Sequence, residues 1–327
     1  SVWHDRLSLG FNYYKSYVNN MLAYKTLGGV SGLRNYWSNE GKMENQGFDV
    51  AAVAKVMALK DFSWEISASV GHYKNEVTAL PDNDKTIYTS VYGGEVMTKV
   101  GNPIGLFYGY KTQGVFATSE EAAKTDLRNG SENGSAFRAG DVHFSDLVAD
   151  GVIDNKDKDV IGNPNPDVFG NFGTSLHYKN WTLDAFFSYS LGNDIYNYQR
   201  AVLESGNSYY NQTTAMLNRW TSEGQLTSIP RVEYGDRMGN ARFSDRWIED
   251  GSYLKLKTLS LSYRFPFNLT FLQGITVWGA ANNLFTCTKY LGSDPELSIS
   301  GNPIYQGIDR GLLGHGRSFV LGVKINL

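Results

Sequence analysis

Several things the sequence lacks narrow what it can be. It holds one cysteine, Cys287, so no disulfide can form within the chain. The net charge is only −3 and the basic residues are scattered, which leaves no electrostatic footprint for a nucleic-acid partner. No apolar run approaches the roughly 20 residues that a membrane-spanning helix needs. Proline is scarce, at 8 in 327 residues, and charged residues are only 19% of the chain. No Gly-x-Ser-x-Gly motif occurs, and "GLLGHG" lacks the strand–helix unit of a phosphate loop. No enzyme is expected. No signal peptide precedes the first strand pattern, which opens within a few residues of Ser1, so the chain reads as a fragment.

What is abundant is glycine (35), tyrosine (21) and phenylalanine (17), and apolar residues recur with a period of two. Leu7, Leu9, Phe11, Tyr13 and Tyr17 share one face near the start. Phe48, Val50, Ala52, Ala54 and Val56 lead into a turn at Lys60-Asp61, and Phe62, Trp64, Ile66, Ala68 and Val70 lead out. Val168, Phe172, Thr174, Leu176 and Tyr178 run to a turn at Lys179-Asn180. Trp181, Leu183, Ala185, Phe187, Tyr189 and Leu191 leave it. The chain closes on Phe319, Leu321, Val323, Ile325 and Leu327 at alternate positions.

The faces between these residues decide the class. They hold mostly Ser, Gly, Asn and Thr, where a soluble sandwich would show Lys, Glu and Asp. Aromatics cluster beside the short turns: Phe62 and Trp64, Tyr178 and Trp181, Tyr263 and Phe265. Apolar-out, polar-in strands with aromatic girdles describe an all-β, antiparallel transmembrane β-barrel. Short connections at Lys60-Asp61, Lys179-Asn180 and Phe267 to Gly274 alternate with long polar stretches near 19–43, 77–103, 118–166, 192–252 and 287–316. Strand parity allows residues 85–117 to cross as a pair turned at Gly101-Asn102-Pro103, or to fold into a loop. The total is eight to ten strands, the last closing against a strand of the complete protein.

Phrases along nearly the whole chain resemble the C-terminal barrel portion of the SusC/RagA family of TonB-dependent outer-membrane transporters. They are "NEGKMENQGFDV", "GNPIGLFYGYKTQGVF", "GDVHFSD", "DGVIDNKDKDVIGNPNPDVFG", "RFSDRWIEDGSYLKLKTLSLSY", "NNLFTCTKYLGSDPE" and "YQGIDRG". The resemblance implies that residues 1–327 are the C-terminal part of a plugged barrel of about 22 strands, a size such barrels reach. It also implies a bacterial outer-membrane location, a SusD-like surface lipoprotein as lid, and energy from the TonB complex through an N-terminal part that this sequence lacks.

Two stretches carry candidate chemistry. "DLVADGVIDNKD" places Asp146, Asp150, Asp154 and Asp157 at positions 1, 5, 9 and 12 of a calcium-type loop, with Gly151 at 6. A structural Ca2+ tying down a loop is one reading and a solvated acidic turn the other. Val148 at position 3 offers no side-chain oxygen, and Asp157 is shorter than the usual Glu. The second stretch, 193–220, sets Tyr196, Tyr198, Tyr209, Tyr210 and Trp220 among amides, with a helical pattern from Ile195 to Glu204. Flat rings beside amides suit an oligosaccharide or a peptide; loop packing is the plainer reading. His4, His72, His143, His177 and His315 lack ligand spacing and read as lumen or loop residues.

The expected function is TonB-dependent import of a bulky nutrient, an oligosaccharide or a peptide, across the outer membrane. A soluble all-β carbohydrate-binding or glycan-degrading domain is the alternative, and a complete small barrel serving as anchor or adhesin is a third option.

Overall fold

The computed structural model describes residues 6–27, 32–33, 35–266 and 274–326. Eight long strands form one antiparallel meander in chain order. They are β1 (Leu7–Thr26), β2 (Asn35–Ala58), β3 (Phe62–Ala79), β4 (Val168–Tyr178), β5 (Trp181–Leu191), β6 (Tyr253–Phe265), β7 (Gly274–Thr288) and β8 (Ser318–Asn326).

The register lines the alternating residues into two unlike faces, because directly opposed residues share a side. On one face Leu176, Leu183, Leu261, Gly279 and Leu321 form a stripe across five strands. Leu9, Ala52, Ala68, Phe172, Phe187 and Leu256 form another. Phe172 stacks on Phe187 at 4.6 Å, and near the short turns Trp181 lies 4.7 Å from Tyr263. The opposite face carries Glu65, Ser175, Asp184 and Ser260 in register. Ser175 and Ser260 both donate to the Asp184 carboxylate. A polar group on this side therefore finds its partner across the strands.

Among the described residues no helix is long and apolar enough to cross a membrane. The strands suffice: β4 and β5 have 11 residues each, about what a tilted transmembrane strand requires. At 20, 24 and 18 residues, β1, β2 and β3 run well past that length. This corrects the expected loop at 19–43, most of which is extended ladder. Bulges between Val18 and Met21 and between Met21 and Ala23 let the two strands stay paired there. Another bulge between Lys55 and Met57 shifts the face, so Met57 rather than Val56 opposes Trp64. Residues 267–273 of the turn expected from Phe267 to Gly274, the last residue Leu327, and His4 lie outside the described residues.

Residues 85–117 take the second of their two expected courses. Strands Thr86–Val91, Gly94–Lys99, Leu106–Tyr110 and Lys158–Gly162 form a separate four-stranded sheet within the connection from β3 to β4. The Tyr92-Gly93 turn, with φ of 44° and 74°, is the tight hairpin that starts it. The core lies in these connections, not in the wall.

Candidate ligand site in the loop layer

In a meander, alternate connections leave the same end. Residues 80–167, 192–252 and 289–317 therefore form one layer over one end of the wall. Strand Asp194–Asn197 is held between Ile248–Asp250 and Ile308–Asp309. Val91, Val96, Phe107, Tyr196, Trp247 and Ile308, drawn from all three connections, make one buried cluster.

That assembly separates the five aromatic candidates. Tyr196 is core, with its hydroxyl donating to the Tyr92 carbonyl at 2.9 Å. Tyr198 opens the short helix α1 (Tyr198–Leu203) and packs on Tyr92, with ring centroids 5.4 Å apart. Trp220 is half-buried, its indole donating to the Ala117 carbonyl at 3.1 Å. Tyr209 and Tyr210 remain open, at 89% and 76% exposure, and Tyr209 stacks on Tyr234 at 4.7 Å. Tyr196 and Tyr198 are neighbours, with centroids 6.1 Å apart. Tyr234 had no distinguishing sequence signal; only the fold brings it to Tyr209.

The four aspartates of 146–157 are engaged with their own backbone. Asp146 accepts from the Gly151 and Asp150 amides, and Asp150 from the Val152 amide. Asp154 accepts from Lys156, and buried Asp157 accepts from Leu147, Val148 and Asp154. A cation entering here would compete with these amide donors.

A different set does converge. Ligand atoms of Asp294, Glu296 and His315 lie within 4.8 Å of one another. Lys255 on β6 donates to Asp294 at 2.9 Å and to Glu296 at 2.6 Å, and Lys257 to Glu296 at 2.7 Å. Two ammonium groups already neutralise these two carboxylates, so the donor set suits an ion-pair network and fits a dication poorly. Burial alone would raise the Asp294 pKa, but hydrogen bonds from Lys255 and from the His315 backbone and ring bring it down to about 2. Chemically, the network fastens connection 289–317 to the wall. Its members lie 39 and 60 residues apart, too far for a spacing motif to reveal.

Between the ends of β1 and β2 and this layer lies a mostly apolar cavity of about 410 Å3. Val18, Met21 and Trp37 line it from the wall, and Ile87, Thr98 and Ile304 from the loops. Its size and lining match those of small-ligand clefts.

No family model matches the chain. Over 99% of its length the chain is 30% identical to TonB-dependent receptor P3 of Formosa agariphila and 26% identical to TonB-dependent receptor SusC of Bacteroides thetaiotaomicron. The chain carries SusC-like TonB-dependent receptor sequence. It spans about a third of those relatives, 33% and 31% of their lengths. A solved structure of the RagAB peptide transporter superposes with a TM-score of 0.77 at 22% identity, covering 98% of this chain and 34% of that one. The RagAB peptide importer in its 'open-open' state gives 0.76, again at 22%. This likeness establishes the fold of the SusC-like chain as a piece of barrel wall with its loops.

Proposed function

We propose that this SusC-like chain forms part of the wall and loop layer of a TonB-dependent importer in a bacterial outer membrane. The cargo on this reading is a bulky nutrient, an oligosaccharide or a peptide. The observation that carries it is the division of the meander. One face is apolar and edged with aromatics, the other is small and polar, and three long connections gather at one end. Lipid would cover the first face and a water-filled lumen the second.

Residues 1–327 would then belong to one barrel, with the TonB complex acting through parts of the protein outside this chain. A SusD-like lipoprotein would sit over the loop layer. Tyr209 and Tyr210 are the ligand-facing candidates of the original five, because they alone offer open rings. The chain would have no catalytic role. A structural Ca2+ at Asp146–Asp157 is tested by asking whether EGTA exposes that loop to protease.

The function is tested by fractionating cell envelopes and mapping the peptides of the native polypeptide that carries this chain. Recovery in the outer membrane, with loss of growth on one glycan or peptide source upon gene deletion, is expected. Recovery in a detergent-free soluble fraction would overturn the reading in favour of a soluble glycan-binding domain.

A further inference from the structure

We propose that the apolar face of the wall carries a cleft for one glycerophospholipid, with Gly279 of β7 as its floor and the rings of Trp181 and Tyr263 at its mouth. The cleft has a volume of about 550 Å3, within the range of ligand clefts, and lies at the short-turn end of the meander. It is separate from the apolar cavity beside β1 and from the loop layer, which gathers at the other end.

A missing side chain makes the space. In register, Leu183, Leu261, Gly279 and Leu321 form one row across β5 to β8. Leu261 and Leu321 therefore stand two strand spacings apart, roughly 10 Å, with only the backbone of β7 between them. The φ of Gly279 lies outside the left-handed region, so the backbone does not demand a glycine there. Glycine inside a strand weakens the ladder and marks a place where a ligand or another backbone comes close. A Cβ at Gly279 would meet Leu321 Cδ2 at 3.1 Å, yet Leu321 remains 87% exposed and leaves the gap open. Val277 continues the floor toward the short turns.

Toward those turns the walls become rings with polar tips. Trp181 packs on Tyr263, Tyr263 lies 4.6 Å from Phe265, and Tyr178 faces Trp181 across the β4–β5 turn. The Trp181 indole N–H and the Tyr263 hydroxyl donate to no protein group among the described residues. Both are amphipathic rings of the kind that sit at lipid headgroup level.

Charge sets the class of lipid. The stretches that build this end, 174–183, 259–279 and 319–326, hold Lys179, Arg264 and Lys324 and no Asp or Glu. The adjoining Lys60-Asp61 turn adds one charge of each sign, and Glu65 and Asp184 belong to the opposite, polar face. Lys179 reaches over the Tyr178 ring, 5.5 Å from its centroid, with no carboxylate within 4.0 Å among the described residues. Arg264 and Lys324, rooted on the polar face, add to the positive potential at the rim. An apolar slot, then two free donors, then a cationic rim matches an acyl chain, its ester carbonyl and a phosphate in that order. The proposal rests on the barrel reading for which face meets lipid and for the short turns facing the periplasm, which makes the lipid one of the inner leaflet.

The test is native mass spectrometry of the delipidated, detergent-purified native polypeptide that carries this chain. The probes are dioleoylphosphatidylglycerol and dioleoylglycerol, which share their chains and differ in the phosphate headgroup. One equivalent of the phospholipid is expected to bind about tenfold or more tighter than dioleoylglycerol. Gly279→Leu fills the slot and weakens that equivalent about tenfold, the loss expected for about two methylenes denied burial. Ala68→Leu, on the same face but on β3 and away from the cleft, leaves it unchanged. Lys179→Asn suits the φ of 54° at that turn and leaves the slot intact, so it covers the case of a misfolded Gly279 variant. It lowers the preference for the phospholipid about fivefold. Equal binding of the two lipids, an unaltered equivalent in a folded Gly279→Leu protein, an equal loss in Ala68→Leu, or an unchanged preference in Lys179→Asn overturns the proposal. A polypeptide recovered without detergent fails the membrane reading before any titration, whereas a detergent-requiring receptor with no tight equivalent fails this proposal alone.

Discussion

Removing the Lys255 ammonium would leave the Asp294 and Glu296 side chains, 4% and 13% exposed, without their shared counter-ion. Breaking one partner out of a buried network typically costs about 3 kcal/mol or more, because the remaining charges stay desolvated. Lys257 and His315 soften this only in part, since Lys257 reaches only Glu296, and His315, 2.8 Å from Asp294 and 3.8 Å from Glu296, is a cation only when protonated. Lys255→Met is therefore expected to loosen connection 289–317, and hydrogen exchange should show faster exchange there than in β4 or β5. The same residues predict a pH dependence. Asp294 is held at about 2, below its ordinary 3.8, so its contribution is complete above about pH 4 and is lost as pH falls toward 2. Pepsin cleavage within 289–317 should rise steeply across that window. A flat profile would mean the aspartate does not hold the loop. None of this was legible in the sequence. A buried lysine on a strand and two acids dozens of residues away carry no local pattern, and His315 read only as a lumen or loop residue.

The strands are the opposite case. Period-2 alternation in 168–191 foretold β4, β5 and their turn, because each side chain there is dictated by the face it occupies. The reading slipped where the ladder gains a residue, as at Lys55 to Met57, since a bulge changes the face without changing composition. It slipped again at 85–117, whose apolar residues serve a local core rather than the wall. Their alternation is that of a half-buried strand in either setting, so only partners could decide. The stripe through Leu183, Leu261 and Gly279 gives a test at this scale. An arginine on a lipid-covered strand face costs about 2–4 kcal/mol near mid-membrane, while one on a water-exposed face costs about 0.5 kcal/mol or less. Leu261→Arg is expected to show the larger penalty in refolding titrations of the full receptor into lipid vesicles. Ser260→Arg, on the polar face beside Asp184, should show the smaller one.

At the scale of the molecule, the meander has two open edges. The outward side of β1 and that of β8 pair with nothing among the described residues. Both edge strands are also apolar and exposed, with Phe11 and Tyr13 at one end and Phe319 and Leu321 at the other. An open sheet of this length, with no proline in either edge strand and only three lysines between them, offers a template for further strands. Inside a closed barrel both edges would be satisfied by neighbouring wall, with no unpaired backbone left facing lipid. Residues 1–327 expressed alone are therefore expected to form large aggregates in buffer. Embedding the same residues in the complete receptor sequence should give a monodisperse particle in detergent. Size-exclusion chromatography with light scattering separates these outcomes, and circular dichroism confirms that the aggregate retains strand. A monomeric, detergent-free species from residues 1–327 would show that the two edges close on their own. That result would remove the physical reason for assigning this wall to a larger barrel.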